Sequence, residues 1–444
     1  MKIKVENLGN IEKAELELGN LTILTGKNNT GKTYIAYALY GFLDSWLSGL
    51  NMGKIQYNQE ETNSHFIMTF NVKEIINNSI GYLNNMVLEY NKNVLHEIFN
   101  VSKNFFTSAK FDFSLPNFDK EIVKQYSRKL NKEDFKFLDD NLIAMYVKKD
   151  MFLVDFFHSE NNPRMLSFFL KKVLFELYIP YTTYIITAER TGIHLFQKGL
   201  DNYNDDILKQ LGRKFGRISG NNWEDIETVT AHYSTPISNN IAFARNKELY
   251  LKNDSDIAEN DKELLQEIEE LLGVGYNFQE GSAYLKLDNE QALPLYMAST
   301  SARALLDLYI HIRHILKKND LLIIDEPELN LHPEMQMKLA RVFAKLVRSG
   351  VKILITTHSD YIVKEINNLI TLSNDFEMKS DLMKRYDYKE NEILQPSDVK
   401  AYIASDKTLH QVKIDNWGME KTTFDESIDL LNEISEEIIY GINQ

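Results

Sequence analysis

The 444-residue chain has no cysteine, which excludes disulfides, thiolate nucleophiles and cysteine-ligated zinc and fits a reducing compartment. It also has no apolar run that approaches the length of a membrane span. The opening Met1-Lys2-Ile3-Lys4-Val5 goes directly into an alternating strand pattern rather than a signal-peptide core. Positive charge is in the minority: 50 Lys and Arg face 64 Asp and Glu, for a formal net charge of −14. A whole surface built to embrace nucleic acid or an anionic membrane is thereby excluded, and any such contact has to be a local patch. With 43% hydrophobic residues the chain can still bury a large core, and its length allows two or three domains. These features predict a soluble, cytoplasmic protein without a membrane partner.

What is present is organised around Gly26-Lys27-Asn28-Asn29-Thr30-Gly31-Lys32-Thr33, a complete G-x-x-x-x-G-K-T loop. Leu21, Ile23 and Leu24 precede it as a strand, and the stretch from Tyr34 to Phe42 follows as a helix. The two glycines let backbone N–H groups curl around a β-phosphate, and Lys32 reaches the β- and γ-phosphates. Thr33 offers a hydroxyl to Mg²⁺ at the helix N-terminus.

Upstream, Ile3 and Val5, then Ala14, Leu16 and Leu18, alternate with charged residues on either side of Gly9-Asn10, predicting a half-exposed hairpin. From about Asp44 the text becomes rich in Asn, Lys and aromatics, with helical spacing over Val123 to Phe137 and Met165 to Leu177. This predicts a helical insertion over 46–180. A buried strand then resumes at Tyr184-Ile185-Ile186-Thr187 and ends in Ala188-Glu189-Arg190-Thr191-Gly192.

Leu321-Leu322-Ile323-Ile324 is too continuously apolar for a half-exposed strand, so a buried parallel strand fits it, and it ends in Asp325-Glu326-Pro327. Two adjacent carboxylates at a sheet edge are costly unless a cation or ligand meets them. Asp325 is therefore expected to hold Mg²⁺ and Glu326 to orient or deprotonate water. A second buried strand, Val351 to Thr356, leads to Thr357-His358-Ser359-Asp360, where His358 is placed to sense a γ-phosphate. Ser299-Thr300-Ser301, at a predicted helix start, offers hydroxyls and free backbone N–H groups to an anion carried by another subunit. Strand, helix, strand, helix in this order predicts a doubly wound α/β sheet.

Taken together, the G-x-N-x-T-G-K-T loop, the serine-rich run, Asp325-Glu326-Pro327-Glu328-Leu329-Asn330-Leu331-His332-Pro333 and Thr356-Thr357-His358-Ser359 resemble the ABC-type ATPases of the SMC and overcoming-lysogenization-defect group. The resemblance covers about 1–45 and 181–372. It is narrowest toward the ATPase subunits of Septu-type antiphage systems and related retron-associated ATPases.

It implies an α/β P-loop NTPase of ABC/SMC head type, with the core at 1–45 and 181–372, the helical insertion at 46–180 and a small C-terminal module at 373–444. ATP and Mg²⁺ are the implied cofactors. Gly26, Asn28, Asn29, Thr30, Gly31, Lys32, Thr33 and Tyr34 would bind the nucleotide, and Thr33 and Asp325 the metal. Glu326, His358 and Lys32 would be catalytic, and Ser299, Thr300 and Ser301 would meet the nucleotide in trans within an ATP-sandwiched dimer. Glu189 or Arg190 would also bind the cofactor, standing in the region of the Q-loop and linking nucleotide state to the helical insertion. Where the group has a serine-glycine-glycine signature, this chain has Ser299-Thr300-Ser301-Ala302.

No nuclease activity is expected of the chain itself, because the stretch after His358 is too short for the metal-binding toprim domain of overcoming-lysogenization-defect nucleases. The resemblance implies instead a separate nuclease subunit, typically of the His-Asn-His class. Competing expectations are an SMC-like repair head or clamp that grips duplex DNA and, less in keeping with the insertion, a transporter subunit. For DNA contact, the best basic clusters are Arg213-Lys214-Phe215-Gly216-Arg217 and Lys124 with Arg128, Lys129 and Lys132. A C-terminal helix from Phe424 to Tyr440, with Phe424, Ile428 and Leu431 on one stripe, would pack on the core or hold a partner.

Overall fold

A computed structural model describes residues 1–49, 57–62, 65–71, 81, 83–114, 143–148, 151–157, 182–196, 233–273, 275–279, 282–286, 291–420 and 433–434. Two compact units emerge. One comprises Met1–Ile3, Phe42–Leu95 and Phe111–Tyr181, and the other Lys4–Gly41, His96–Lys110 and Thr182–Gln444.

In chain order, β1 (Lys2–Leu8) and β2 (Ile11–Glu17) are neighbouring strands with the expected alternation of buried and exposed residues. The fully buried β3 (Leu21–Gly26) leads through the phosphate loop into α1 (Lys32–Gly49). Next come β4 (Tyr57–Thr62), β5 (His65–Asn71), β6 (Ile143–Lys148) and β7 (Met151–Phe157). They form a four-stranded antiparallel sheet in the order β4-β5-β7-β6.

That sheet corrects the expectation of a helical insertion over 46–180. Its strands are short runs of six or seven residues, and the pairs 57–62 with 65–71 and 143–148 with 151–157 are each separated by only two residues. Two-residue spacing is a hairpin signal, which the helical spacing elsewhere in the stretch obscured. Within the same unit Phe42 packs on Tyr90, Phe111 and Phe113 at centroid distances of 5.2, 5.0 and 4.9 Å. The segments Val123 to Phe137 and Met165 to Leu177 lie outside the described residues, as do both basic clusters and all but two residues of the C-terminal helix.

The second unit continues with β8 (Thr183–Ile186), α2 (Thr235–Tyr250), α3 (Lys262–Leu272) and the antiparallel β9 (Tyr276–Gln279), β10 (Ser282–Lys286) and β11 (Ala292–Pro294). Then follow α4 (Thr300–Ile310), β12 (Leu321–Asp325), α5 (Pro333–Arg348), β13 (Lys352–Thr357) and α6 (Asp360–Thr371). The last strands of the main sheet are β14 (Val399–Ser405) and β15 (Thr408–Val412).

That sheet has the order β15-β14-β3-β13-β12-β8. Every pair from β14 to β8 is parallel, and β15 closes the edge antiparallel. The α/β expectation therefore holds, and its central strands β3, β12 and β13 are buried almost throughout, as their largely aliphatic runs require. Ile23, Leu322, Ile324, Ile353 and Ile355 share one core with Leu339 and Phe343 of α5 and Ile366 of α6. Each such side chain contributes about 2 kcal/mol on burial. Ser299, His332 with Pro333, and Ser359 start the three helices: the side chains of Ser299 and Ser359 accept from Ala302 N and Ile362 N, while Pro333 pre-sets the backbone of α5.

Residues 373–444 are not a separate module as far as they are described. Val399, Ala401 and Ala404 pair with Leu21, Ile23 and Gly26, so β14 is the flanking strand of the phosphate-loop strand itself. The tie is electrostatic as well. Lys345 on α5, 1% exposed, meets Glu267 of α3 at 2.9 Å and Glu392 at 3.1 Å, and Lys389 meets Glu267 at 2.8 Å. Burial pushes the Glu267 carboxyl up, but hydrogen bonds from Lys389, Asn391 and Lys345 outweigh it and hold the group at about 2.

Because that value lies below the ordinary 4.5, the carboxylate stabilises the fold above pH 4.5, and the benefit is lost as pH falls toward 2. Glu267→Gln should lower stability by about 2 kcal/mol at pH 7. In thermal melts recorded from pH 7 to pH 2.5, the gap between wild type and variant should close below pH 4.5.

Candidate functional site

All the polar residues singled out at strand ends arrive at one edge because the strands are parallel and in register. Asp325 pairs with Thr356, Thr357 with Thr25, and Ile186 with Ile324. The phosphate loop, the Asp325-Glu326 turn and His358 therefore leave the sheet side by side. Between them lies a cleft of about 600 Å³, lined by Asn10, Asn28 to Tyr34, Glu326, Glu328, Leu329 and His358.

The loop's conformation needs its glycines. Gly26 has φ +137°, and a Cβ there would lie 2.5 Å from the carbonyl oxygen of Ala404 on β14; Gly31 has φ +94° and abuts Ile11. Lys32, 5% exposed, donates from Nζ to the carbonyls of Gly26 and Lys27 at 2.9 and 2.8 Å. Burial lowers its pKa, opposed by Glu326, Asp325 and Glu328. Asn10 Nδ2 donates to the carbonyl of Asn29, Thr30 Oγ1 to that of Lys27, and the Tyr34 ring stacks on Phe99 at 5.1 Å.

Asp325 is 2% exposed and accepts from Thr33 Oγ1 at 3.2 Å and from Thr356 Oγ1. Burial pushes its carboxyl up to about 6, with neighbouring Glu326 and Glu189 adding and the two hydroxyls subtracting. A threonine hydroxyl hydrogen-bonded to a buried carboxylate is a hard-oxygen donor pair. It fits Mg²⁺, which takes one or two protein oxygens and completes its shell with phosphate and water.

Glu326 follows the strand in the left-handed region, φ +49°, at a cost of about 1–2 kcal/mol for a residue with a Cβ. Its N–H donates to Thr356 O at 3.0 Å, and its carboxylate lies 3.2 Å from His358 Nε2. The hydrogen bond from His358 is the main reason its pKa is lowered.

Not every expected residue joins this group. Arg190 is 2% exposed and spends its donors on the carbonyls of Thr187, Ala304, Asp325, Glu326 and Pro327. A guanidinium has five N–H groups, so none is left for a nucleotide, and its expected place as a cofactor-binding residue is corrected to a clamp under the turn. Glu189 is exposed, hydrogen-bonded with Tyr37, and close enough to Asp325 to raise its pKa. Ser299 and Thr300 are exposed and Ser301 half-buried, with Ser299 and Ser301 hydroxyls 2.9 Å apart. None of the three lines the cleft.

Glu328 was missed as a site residue. It lines the cleft, accepts from the N–H of His358, and is pushed up by burial. Its place in the run from Asp325 to Pro333 was a usable signal, three residues on from the strand end. Asn10 was missed too, since only the packing of the first hairpin turn brings it to the loop.

Among the described residues no helix is long and apolar enough to cross a membrane. Three solved structures illustrate what the chain is similar to. One is the Smc head domain with an extended coiled coil bound to the C-terminal domain of ScpA, derived from Pyrococcus furiosus, at 11% identity, 98% of each chain covered and a TM-score of 0.32. Another is the SMC head domain from Thermotoga maritima, at 9% identity, 93% of this chain and 98% of that one, and 0.31. The third is the SmcHead bound to the C-winged helix domain of ScpA, at 9% identity, 93% and 96% coverage, and 0.35. No curated protein matches the chain. Residues 1–363 match the family model described as the AAA ATPase domain, and the chain belongs to that family.

Proposed function

We propose that the chain binds ATP with Mg²⁺ in the 600 Å³ cleft and hydrolyses it, with Glu326 as the water-orienting base. The observation that carries this reading is the convergence of Lys32, Thr33, Asp325, Glu326 and His358 at one edge of the parallel sheet. The loop N–H groups and Lys32 bind the phosphates, and Thr33 with Asp325 holds the metal. When bound, Mg²⁺ neutralises charge on the β- and γ-phosphate oxygens. Glu326, kept ionised by its hydrogen bond from His358, accepts the proton of the attacking water, and His358 stands beside it to register the γ-phosphate.

The exposed start of α4 serves a nucleotide held by a second copy, so ATP drives self-association. By the resemblance to Septu-type ATPases, the chain is the regulatory subunit of an antiphage system and gates a partner nuclease, typically of the His-Asn-His class. Affinity purification from the native host, with and without ATP, tests that level. A nuclease-sized subunit that copurifies supports it, and ATP-dependent retention of duplex DNA by the chain alone replaces it with the DNA-clamp reading.

At the level of the site, Lys32→Ala should abolish binding of a fluorescent ATP analogue. Glu326→Gln should bind the analogue as wild type does, accumulate the self-associated form on size exclusion with ATP, and lose more than about tenfold in turnover, equivalent to 1.4 kcal/mol of barrier. Wild-type turnover by Glu326→Gln would overturn the assignment of the base.

The metal site should also be pH-sensitive. Since the Asp325 carboxyl sits near 6, it is ionised above that value and protonated below it, so protons compete with the cation on the acid side. Mg²⁺-dependent ATP affinity should be flat from pH 7 to 8 and fall about tenfold per unit below about pH 6, whereas Asp325→Asn should bind weakly at every pH.

A further inference from the structure

Glu326 is held from two sides. On one, its N–H is fixed by Thr356 of β13, through the carbonyl at 3.0 Å and the hydroxyl at 3.2 Å. On the other, the buried guanidinium of Arg190 gathers three successive carbonyls of the same turn: Asp325 at 3.1 Å, Glu326 at 2.9 Å and Pro327 at 3.3 Å. Three carbonyls on one rigid planar group fix the peptide planes on both sides of Glu326. They hold open a left-handed conformation that a glutamate would otherwise leave.

The clamp is itself anchored. Residues 190–196 are helical, so Arg190 and His194 lie on one face, four residues apart. Arg190 Nε donates to Ala304 O at 3.1 Å, and His194 Nε2 lies 2.6 Å from Asp307 Oδ1, a pair with side chains 2% and 4% exposed. Ala304 and Asp307 both belong to α4, the helix that Ser299 caps.

We propose that Arg190 is a positioning residue for hydrolysis: it aims the Glu326 carboxylate by clamping the 325–327 carbonyls, and it takes its own position from α4. This rests on the reading of Glu326 as the base. The arrangement implies a division of labour. The phosphate cradle is built from residues 26–34, which the guanidinium does not touch, so losing the clamp should disturb turnover and leave nucleotide capture alone.

Lysine keeps the charge at 190, but one ammonium with three donors cannot span three carbonyls and two anchors. The test is a double-mutant cycle on the full chain with Arg190→Lys, Arg190→Gln, Glu326→Gln and the combinations, read as ATPase kinetics and fluorescent ATP-analogue binding. Thermal melts serve as the control for folding. In the wild-type background Arg190→Lys should lower kcat by about 30- to 100-fold, as misplacement of a reacting group by a fraction of an ångström does, with KM and analogue affinity within about threefold. In the Glu326→Gln background the same substitution should cost less than about threefold more, because the group it aims is already gone.

Independent losses that multiply, a parallel fall in nucleotide affinity, or unchanged turnover would each overturn the proposal. So would loss of the folded state by both Arg190 variants, which would make the residue one of stability alone. Failure of the underlying reading looks different: a wild-type chain that binds ATP but never hydrolyses it, in which case the inference falls with its premise.

Discussion

A carboxylate 98% removed from solvent, at the end of a strand of leucine and isoleucine, is the constraint on which the site depends. The Asp325 carboxylate is hydrogen-bonded by the hydroxyls of Thr33 and Thr356, with Lys32 and Arg190 acting on it through space, and burial lifts its pKa toward 6. A fold under selection for stability alone would replace it with another aliphatic residue, since burying a carboxylate costs several kcal/mol. The chain instead surrounds it with the phosphate loop on one side, β13 on the other and a second carboxylate, Glu326, next in sequence. Each of these makes sense if a cation and an anionic ligand complete the charge balance.

The sheet is what delivers these groups together. Parallel register sends every strand's C-terminal end to the same edge, so Gly26, Asp325 and Thr357 are neighbours although about 300 residues separate the first from the second. The C-terminal strand adds a support that motif reading does not suggest. Because Ala404 pairs with Gly26, and a Cβ at Gly26 would press on Ala404 O, the phosphate loop leaves the sheet against a backbone supplied by the last part of the described chain. The charged cluster of Lys345, Glu267, Glu392 and Lys389 then fixes the segment that leads to that strand.

How much of this could be foreseen follows from the range of the physics involved. The phosphate loop, the 321–325 strand with its terminal carboxylates, and the 351–357 strand were legible because local pattern and tertiary burial agree there: continuous aliphatic runs make buried parallel strands, and polar residues at their ends mark the ligand edge. The strands at 57–71 and 143–157 were hidden because short runs compete with stronger helical spacing around them. The joining of Val399–Ser405 to Leu21–Gly26 was invisible for another reason. Strand pairing across nearly 380 residues leaves no trace in local sequence, and only the hydrophobic face of each strand constrains it. Arg190 stands at the strand end that its place in the sequence implies, but its donors go to the protein backbone rather than to a ligand. Its type and place were legible, while the direction of its five donors depends on where α4 and the 325–327 turn come to rest.

That last difference bears on how the site would work. His358 and Glu326 share a hydrogen bond at 3.2 Å, so under the proposed reading the residue that would sense the γ-phosphate already contacts the one that would activate water. The N–H of His358 is meanwhile held by Glu328, a third carboxyl of the same run. A ligand oxygen that drew the His358 ring away would leave the Glu326 carboxylate without that hydrogen bond, at the place where the proposed reading puts the attacking water. The backbone of Glu326, clamped from the Arg190 side and hydrogen-bonded from the Thr356 side, would not follow. Side-chain rearrangement on a fixed backbone is inexpensive and fast compared with moving a strand. It would let one cleft pass from a paired histidine–glutamate state to a reactive one without disturbing the core beneath it.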